Sequence, residues 1–299
     1  MDNLLKGAIL KPFNILYRIS PEMELKLMFR LKCGYKLNLK NPTTYNEKIQ
    51  WIKLYARNPL MPICSDKYEV RKYVEDKGCG QILNTLIWEG YNPEDIPFDD
   101  LPDRCVIKAT HGSAFNIITT DARSLDRDEV IKKCNKWLKA KYLECYGEWF
   151  YGQVKPRVIV EKYLDDGTGR LRDYKVYCFN GIPRFIGVDT GDSTGAQYKD
   201  IYDTEWNLME GYKMLYPNSG VKIEKPDQLD DLLTYARILS EDFLHARIDF
   251  YIVDGAVVFG EISFTNSAGF KRVAPEEFSR KMGEYLDLHP DKKSTDFSN

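Results

Sequence analysis

The stretch RIDFYIVDGAVVFGEISF, Arg247 to Phe264, decides the fold. β-Branched and aromatic residues flank Asp254-Gly255, a short-range signal for a tight hairpin. Yet Asp249 and Glu261 fall inside the two arms, where carboxylates are disfavoured. Side chains alternate faces along a strand, so Arg247, Asp249 and Tyr251 share one face, as do Phe259, Glu261 and Ser263. Which of these faces coincide depends on the turn. A two-residue Asp254-Gly255 loop pairs Asp249 with Gly260 and sends Glu261 to the opposite face. A three-residue loop, Val253 to Gly255 with the glycine in the left-handed bulge position, pairs Ile252 with Ala256. Arg247 then faces Glu261, with Asp249 as its diagonal neighbour, and this odd loop is the expectation. Two carboxylates on one face repel each other unless something neutralises them. Arg247 alone is one solution; a magnesium ion sharing its shell with phosphates is another. Spacing does not separate the two.

Three further stretches carry charge where apolar strands end. In VIKATHGSAFN, Lys108 closes an apolar run and is followed by His111, Gly112 and Ser113. A cation beside a small-residue loop with free backbone N–H groups suits phosphate, although tight turns favour the same small polar residues. His111 reads either as a substrate contact or as a hydrogen-bonded turn residue. In VIVEKYL, Glu161 follows three β-type residues, at a cleft or simply where a strand reaches water. In RDYKVYCFNGIPRFIGVD, Asn180-Gly181 marks a hairpin, and Asp173 and Lys175 share a face. The plain alternative there is a charge pair on a solvated edge.

The totals narrow the function without naming it. The chain has 299 residues, 43% hydrophobic and 29% charged, with a net charge of -2. That suggests about two domains with a real core and no global field for nucleic acid. Seven scattered cysteines form no CxxC pair and no metal spacing with the three histidines, which points to reduced thiols, a cytoplasmic setting and no structural zinc. No apolar run approaches a membrane span. Residues 1–36 hold seven Lys/Arg against three acids. They read as a helical cap, with peripheral binding at the inner face of a membrane as the alternative.

Along the chain, residues 20–78 look mostly helical, with TTYNEKIQWIKLYARN and DKYEVRKYVEDKG the clearest segments. A Pro/Asp-rich connector, 92–103, marks the first boundary. Asp126 with Glu129 three residues on starts a helix. PDQLDDLLTYARILSEDF is a second helix that delivers the chain into the opening hairpin. Helices first, then hairpins alternating with helices, give an α+β fold with largely antiparallel sheets. The expected divisions are a helical region 1–91, a smaller subdomain 92–165 with the Gly/Ser loop, a second subdomain 166–290 with the Arg247–Phe264 hairpin, and a tail 291–299.

The order of these features resembles the ATP-grasp superfamily. Specifically, NEKIQWIKLY, DKYEVRKYV, VIKATHGSAFN, DYKVYCFNG and RIDFY…FGEISFTNSAGF together resemble the TupA-like ATP-grasp family, associated with teichuronopeptide and other cell-surface polysaccharides. The resemblance runs from about Asn46 to Leu288. It implies a nucleotide held between two α+β subdomains. Lys108 would touch ATP phosphates beneath the loop His111 to Asn116, including Gly112 and Ser113. Glu161, Lys162, Tyr163 and Leu164 would form the hinge contacting adenine and ribose. Lys175 would face phosphate or the activated carboxyl group, and Arg247 the transferring phosphoryl group. Asp249 and Glu261 would bind magnesium, helped by Ser263, which stands where the family often has Asn, or by Asn266. Ala114 replaces a glycine common in the loop. The activity implied is carboxylate–amine ligation through an acylphosphate. The acceptor would be a glycan or a nucleotide- or lipid-linked sugar bearing a carboxylate, and the amine an amino acid or other amino compound. A sugar kinase and a glycosyltransferase are the alternatives; the clearest D-x-D, Asp126-Arg127-Asp128, begins a capped helix.

Overall fold

A computed structural model describes residues 3–112, 114–169, 171–191, 196–214 and 216–289, with side chains from residue 9 onward. Ser113 and the expected tail 291–299 lie outside the described residues. Five helices come first: α1 (Asn3–Ile19), α2 (Pro21–Cys33), α3 (Tyr45–Tyr55), α4 (Leu60–Ser65) and α5 (Val70–Asp76). Local chemistry sets their ends. Ser20 caps α2 with Pro21 in its first turn, and left-handed Gly34 ends it. Thr44 and Glu47 close a reciprocal capping box on α3.

Two antiparallel sheets follow. The smaller combines β1 (Leu86–Gly90), β2 (Cys105–Ala109), β3 (Asn116–Thr119) and β4 (Val158–Lys162) in the order β1-β4-β2-β3. β1 precedes the connector expected at 92, so the sheet draws a strand from the region read as helical. Ile107, Val158 and Val160 pack with Val130 and Cys134 of α6 (Arg127–Leu138), a helix capped by Asp126 through the Glu129 N–H, as its sequence predicts.

The larger sheet contains β5 (Asp173–Phe179), β6 (Ile182–Gly191), β7 (Gln197–Asp203), β8 (His245–Val253) and β9 (Ala256–Ser263), in the order β7-β6-β5-β8-β9. Asn180 and Gly181 both take positive φ in the two-residue turn between β5 and β6, as expected. One face buries Val176, Cys178, Ile186, Val188, Ile248 and Phe250 against Leu232, Ala236 and Leu239 of α7 (Leu229–Ser240). The other face is divided. Tyr177, Phe179, Phe185 and Ile201 pack with α3 and with Phe278 and Met282 of α8 (Glu276–Tyr285). Its remaining half is charged, and that half carries the site. All seven cysteines are free and buried.

Candidate active site

The turn between β8 and β9 is not the odd loop expected. Asp254 and Gly255 have φ of 52° and 74°, and Val253 pairs directly with Ala256, so the loop holds two residues. By that register alone Glu261 would point away from Asp249. The strand corrects itself further on: Phe250 pairs with Phe259 but Asp249 with Glu261, leaving Gly260 as an extra residue in a bulge. A Cβ at Gly260 would lie 2.9 Å from the Asp249 carbonyl oxygen, so the close approach needs glycine. Asp249 therefore faces Glu261 directly, and Arg247 faces Ser263.

β5 adds Lys175 opposite Asp249. Arg247 grips Asp249 with two hydrogen bonds of 2.6 Å, from Nε to Oδ1 and from Nη2 to Oδ2. Its Nη2 also reaches Ser263 Oγ at 3.1 Å and Glu261 Oε1 at 3.4 Å, and its Nη1 donates to Asn266 Oδ1 at 3.1 Å. Lys175 Nζ is 3.0 Å from Asp249 Oδ2, 3.5 Å from Asp189 on β6, and bonded to Asp173. Lys199 of β7 continues the row at 2.5 Å from Asp189. The Asp173–Lys175 pair is thus not on a solvated edge, because β5 is the central strand and Lys175 is 8% exposed.

Burial and neighbours move the protonation equilibria in opposite directions. Nearby Lys67, ahead of the opposing cost of burial, holds the Glu261 carboxyl down to about 2. Burial, then the Asp249 charge, pushes Asp173 up to about 6. Burial alone would lower Lys175, but Asp249 and Asp173 outweigh it and raise the ammonium above its ordinary range.

Across the cleft, Lys108 of β2 pairs with Glu161 of β4 at 2.7 Å, and Arg71 of α5 approaches the same carboxylate at 3.7 Å. Lys67 ties the two sheets together. Its backbone N–H donates to Thr110 O, its Nζ to Gly112 O at 3.4 Å in the small-residue loop, and its Nζ also to Glu261 at 3.1 Å. His111 turns inward instead, with Nε2 3.1 Å from Trp137 O and its ring against Phe115. Gly112 and Ala114 both take left-handed φ, 73° and 62°. In the segment expected to form the hinge, the Lys162 backbone oxygen accepts from Asn84 and the Tyr163 ring faces Arg104. Lys162 is exposed and Leu164 half-buried. Lys67, Arg71, Lys108, Lys175, Lys199 and Arg247 are thus each matched by carboxylates or carbonyls. Polyphosphate with a hard cation is a ligand that exchanges such partners without leaving charge unbalanced.

A family model described as TupA-like ATPgrasp matches residues 47–287. The chain belongs to the TupA-like ATP-grasp family. Solved structures share lower similarity with it. A D-alanine–D-alanine ligase from Bacillus anthracis complexed with ATP is 18% identical, with 78% of this chain and 68% of that chain covered at a TM-score of 0.47. The ATP-grasp ligase PsnB, complexed with a phosphomimetic variant of its minimal precursor, Mg and ADP, is 14% identical, covering 81% and 61% at 0.43. Curated proteins gave no match.

In this TupA-like chain, among the described residues, no group of three or more His, Cys, Asp or Glu is placed to hold a metal ion. Asp249, Glu261, Ser263 and Asn266 nevertheless form an all-oxygen set around Arg247. Such a set fits magnesium, which takes one or two carboxylates and completes its shell with phosphate and water. A metal at Asp249 would take over oxygens now held by Arg247 and Lys175.

Lys67, Arg71, Asp189 and Lys199 were missed from sequence, and so was the support of the strap after β9. Ser267, Ala268 and Gly269 have consecutive left-handed φ of 50°, 54° and 69°. For serine and alanine that conformation is strained. α3 holds them there. Asn46 Nδ2 donates to the carbonyls of Gly269 and Lys271, both at 2.8 Å, Gln50 Nε2 to Ala268 O at 3.2 Å, and fully buried Lys53 to Ala268 O at 2.8 Å. These residues are Asn46, Gln50 and Lys53 of the NEKIQWIKLY stretch. A polar stripe on an otherwise core-facing helix is the signal that could have found them. A cavity of about 260 Å³ opens beside the charged row, lined by residues that include Asp173, Asp189, Thr190 and Tyr216.

Proposed function

We propose that this protein is an ATP- and magnesium-dependent carboxylate–amine ligase acting on a cell-surface polysaccharide precursor. The observation that carries the reading is the bulge at Gly260, which sets Asp249 opposite Glu261 with Arg247 and Lys175 on the same face. Membership of the TupA-like ATP-grasp family supports it. Lys108 and the loop around Gly112 would hold the phosphates from the smaller sheet, and Glu161 to Leu164 would frame the base and ribose.

Asp249 and Glu261, with Ser263 or Asn266, would hold magnesium, which neutralises phosphate charge. A substrate carboxylate oxygen attacks the γ-phosphorus, the bond to the β-phosphate oxygen breaks, and ADP leaves with that electron pair. Arg247 and Lys175 stabilise the charge spread over the moving phosphoryl group. The nitrogen of the amine then attacks the acyl carbon. Phosphate departs and the amine proton is released, giving an amide. The cavity beside Asp173 gives an acceptor room next to Lys175.

The acceptor is expected to be a uronic acid on a glycan or on a nucleotide- or lipid-linked sugar, and the amine an amino acid or other amino compound. Incubation with Mg-ATP, hydroxylamine and candidate uronic acids tests the reaction. Hydroxamate with ADP and phosphate is the expected outcome; a stable phosphosugar would instead mean a kinase.

A further inference from the structure

The hairpin of α1 and α2 precedes the region matched by the family model, which starts at residue 47. Its inner side is ordinary core: Leu10, Tyr17, Leu25, Met28 and Phe29 are buried together. Its outer side is not ordinary surface. Ile15 and Ile19 stand four residues apart on α1, and Met23, Leu27 and Leu31 repeat at that interval on α2, so each helix presents an apolar ridge. These five side chains are between 43% and 76% exposed.

Cations border both ridges. At 3.6 residues per turn, Lys11 and Arg18 flank Ile15 on one side, and Lys26 and Arg30 flank Leu27. The exposed acid at the start of α2, Glu22, is already bonded to Lys26 at 2.5 Å and to Tyr55. Arg18 is held by Glu144 and Lys26 by Glu22, so Lys11 and Arg30 are the ridge-bordering cations that no carboxylate neutralises among the described residues. Residues 1–36 hold seven Lys/Arg against three acids in a chain whose net charge is -2, so the positive charge is concentrated on this hairpin.

Single exposed apolar side chains need no explanation, but paired ridges edged by cations match a helix surface lying in a membrane interface. A second copy is a poorer occupant, because two such faces would set lysine against lysine. Among the described residues no helix is long and apolar enough to cross a membrane, so the contact is peripheral. We propose that the α1–α2 hairpin docks on an anionic lipid surface. Ile15, Ile19, Met23, Leu27 and Leu31 enter the boundary between headgroups and acyl chains, and Lys11 and Arg30 meet lipid phosphates. The proposal stands on this surface alone and survives if the ligase reading fails.

Flotation of the full chain with vesicles tests it, comparing phosphatidylcholine alone with an equimolar mixture of phosphatidylcholine and phosphatidylglycerol. Binding is expected to the anionic vesicles only, and to weaken as NaCl is raised. Each lost cation should cost about fivefold in affinity, so Lys11→Glu with Arg30→Glu should reduce binding at least about 25-fold. Leu27→Ser with Leu31→Ser should reduce it comparably while leaving the melting temperature unchanged. No binding to anionic vesicles at low salt overturns the proposal, as does binding that survives both pairs. A dimer in solution that the leucine pair disperses would also overturn it, assigning the face to self-association.

Discussion

Replacing Gly260 with alanine should disable the site from one methyl group. The added Cβ would lie 2.9 Å from the Asp249 carbonyl oxygen, 3.3 Å from its carbonyl carbon and 3.2 Å from the Tyr251 ring. Two of these three atoms are backbone, so no flexible side chain can swing away. Overpacking of this kind costs about 1–3 kcal/mol. In a chain of this size each kcal/mol is worth about 2 °C, which places the fall in melting temperature at about 2–6 °C. The larger effect is on chemistry. The strand that must move carries Asp249, whose carboxylate is held by two 2.6 Å bonds from Arg247. A displacement on the order of 1 Å at reacting groups lowers rates about 100-fold. Calorimetry and Mg-ATP turnover on the same preparation check both parts. Gly260→Ala with an unchanged melting temperature and turnover within about twofold of the parent would refute the claim that the bulge sets the carboxylates.

Other perturbations separate the supporting contacts. Lys67→Met should let the Glu261 carboxyl rise from about 2 toward its ordinary value of 4.5. Because that pKa is depressed in the folded chain, the stability it contributes is present above pH 4.5 and is lost as pH falls toward 2. Acid unfolding of Lys67→Met should therefore begin at higher pH than that of the parent, and a coincident pair of curves would contradict this. Glu24 is buried with neither oxygen hydrogen-bonded, and burial pushes its carboxyl up to about 8. A raised acid destabilises the fold progressively as pH climbs from 4.5 to 8. Glu24→Gln should then stabilise at pH 8 and have little effect near pH 4, as read by denaturant midpoints. Lys53→Met removes the donor from the Ala268 and Tyr146 carbonyls and should cost about 2–5 kcal/mol of stability. It should also lower ATP turnover more than ATP affinity, since its target is the strap that carries Asn266.

Strand phase separates what the residues reveal on their own from what they hide. The α+β class, the Asn180-Gly181 turn and the Asp126 cap were readable because each rests on contacts within a few residues. That Asp249 and Glu261 share a face was anticipated, but through the wrong device and with the wrong pairing: Asp249, not Arg247, stands opposite Glu261. The buried residues Val257 and Phe259 are odd-numbered and Ile262 and Phe264 even-numbered, and that change of phase across Gly260 is the mark of the bulge. A reading that assumed unbroken alternation placed the extra residue in the turn. The partners of the site residues were mostly not readable, because Lys67 and Arg71 reach it from segments distant in sequence. His111 shows the converse: a residue beside the phosphate-type loop whose ring the fold turns toward Trp137.

Titration calorimetry of ATP with and without magnesium tests the central claim most directly. Its comparison is between the parent chain, Asp249→Asn and Glu261→Gln. The account predicts that magnesium tightens ATP binding to the parent chain and that each substitution abolishes most of that gain, about tenfold or more in affinity. Equal magnesium-dependent affinities in all three chains would contradict it.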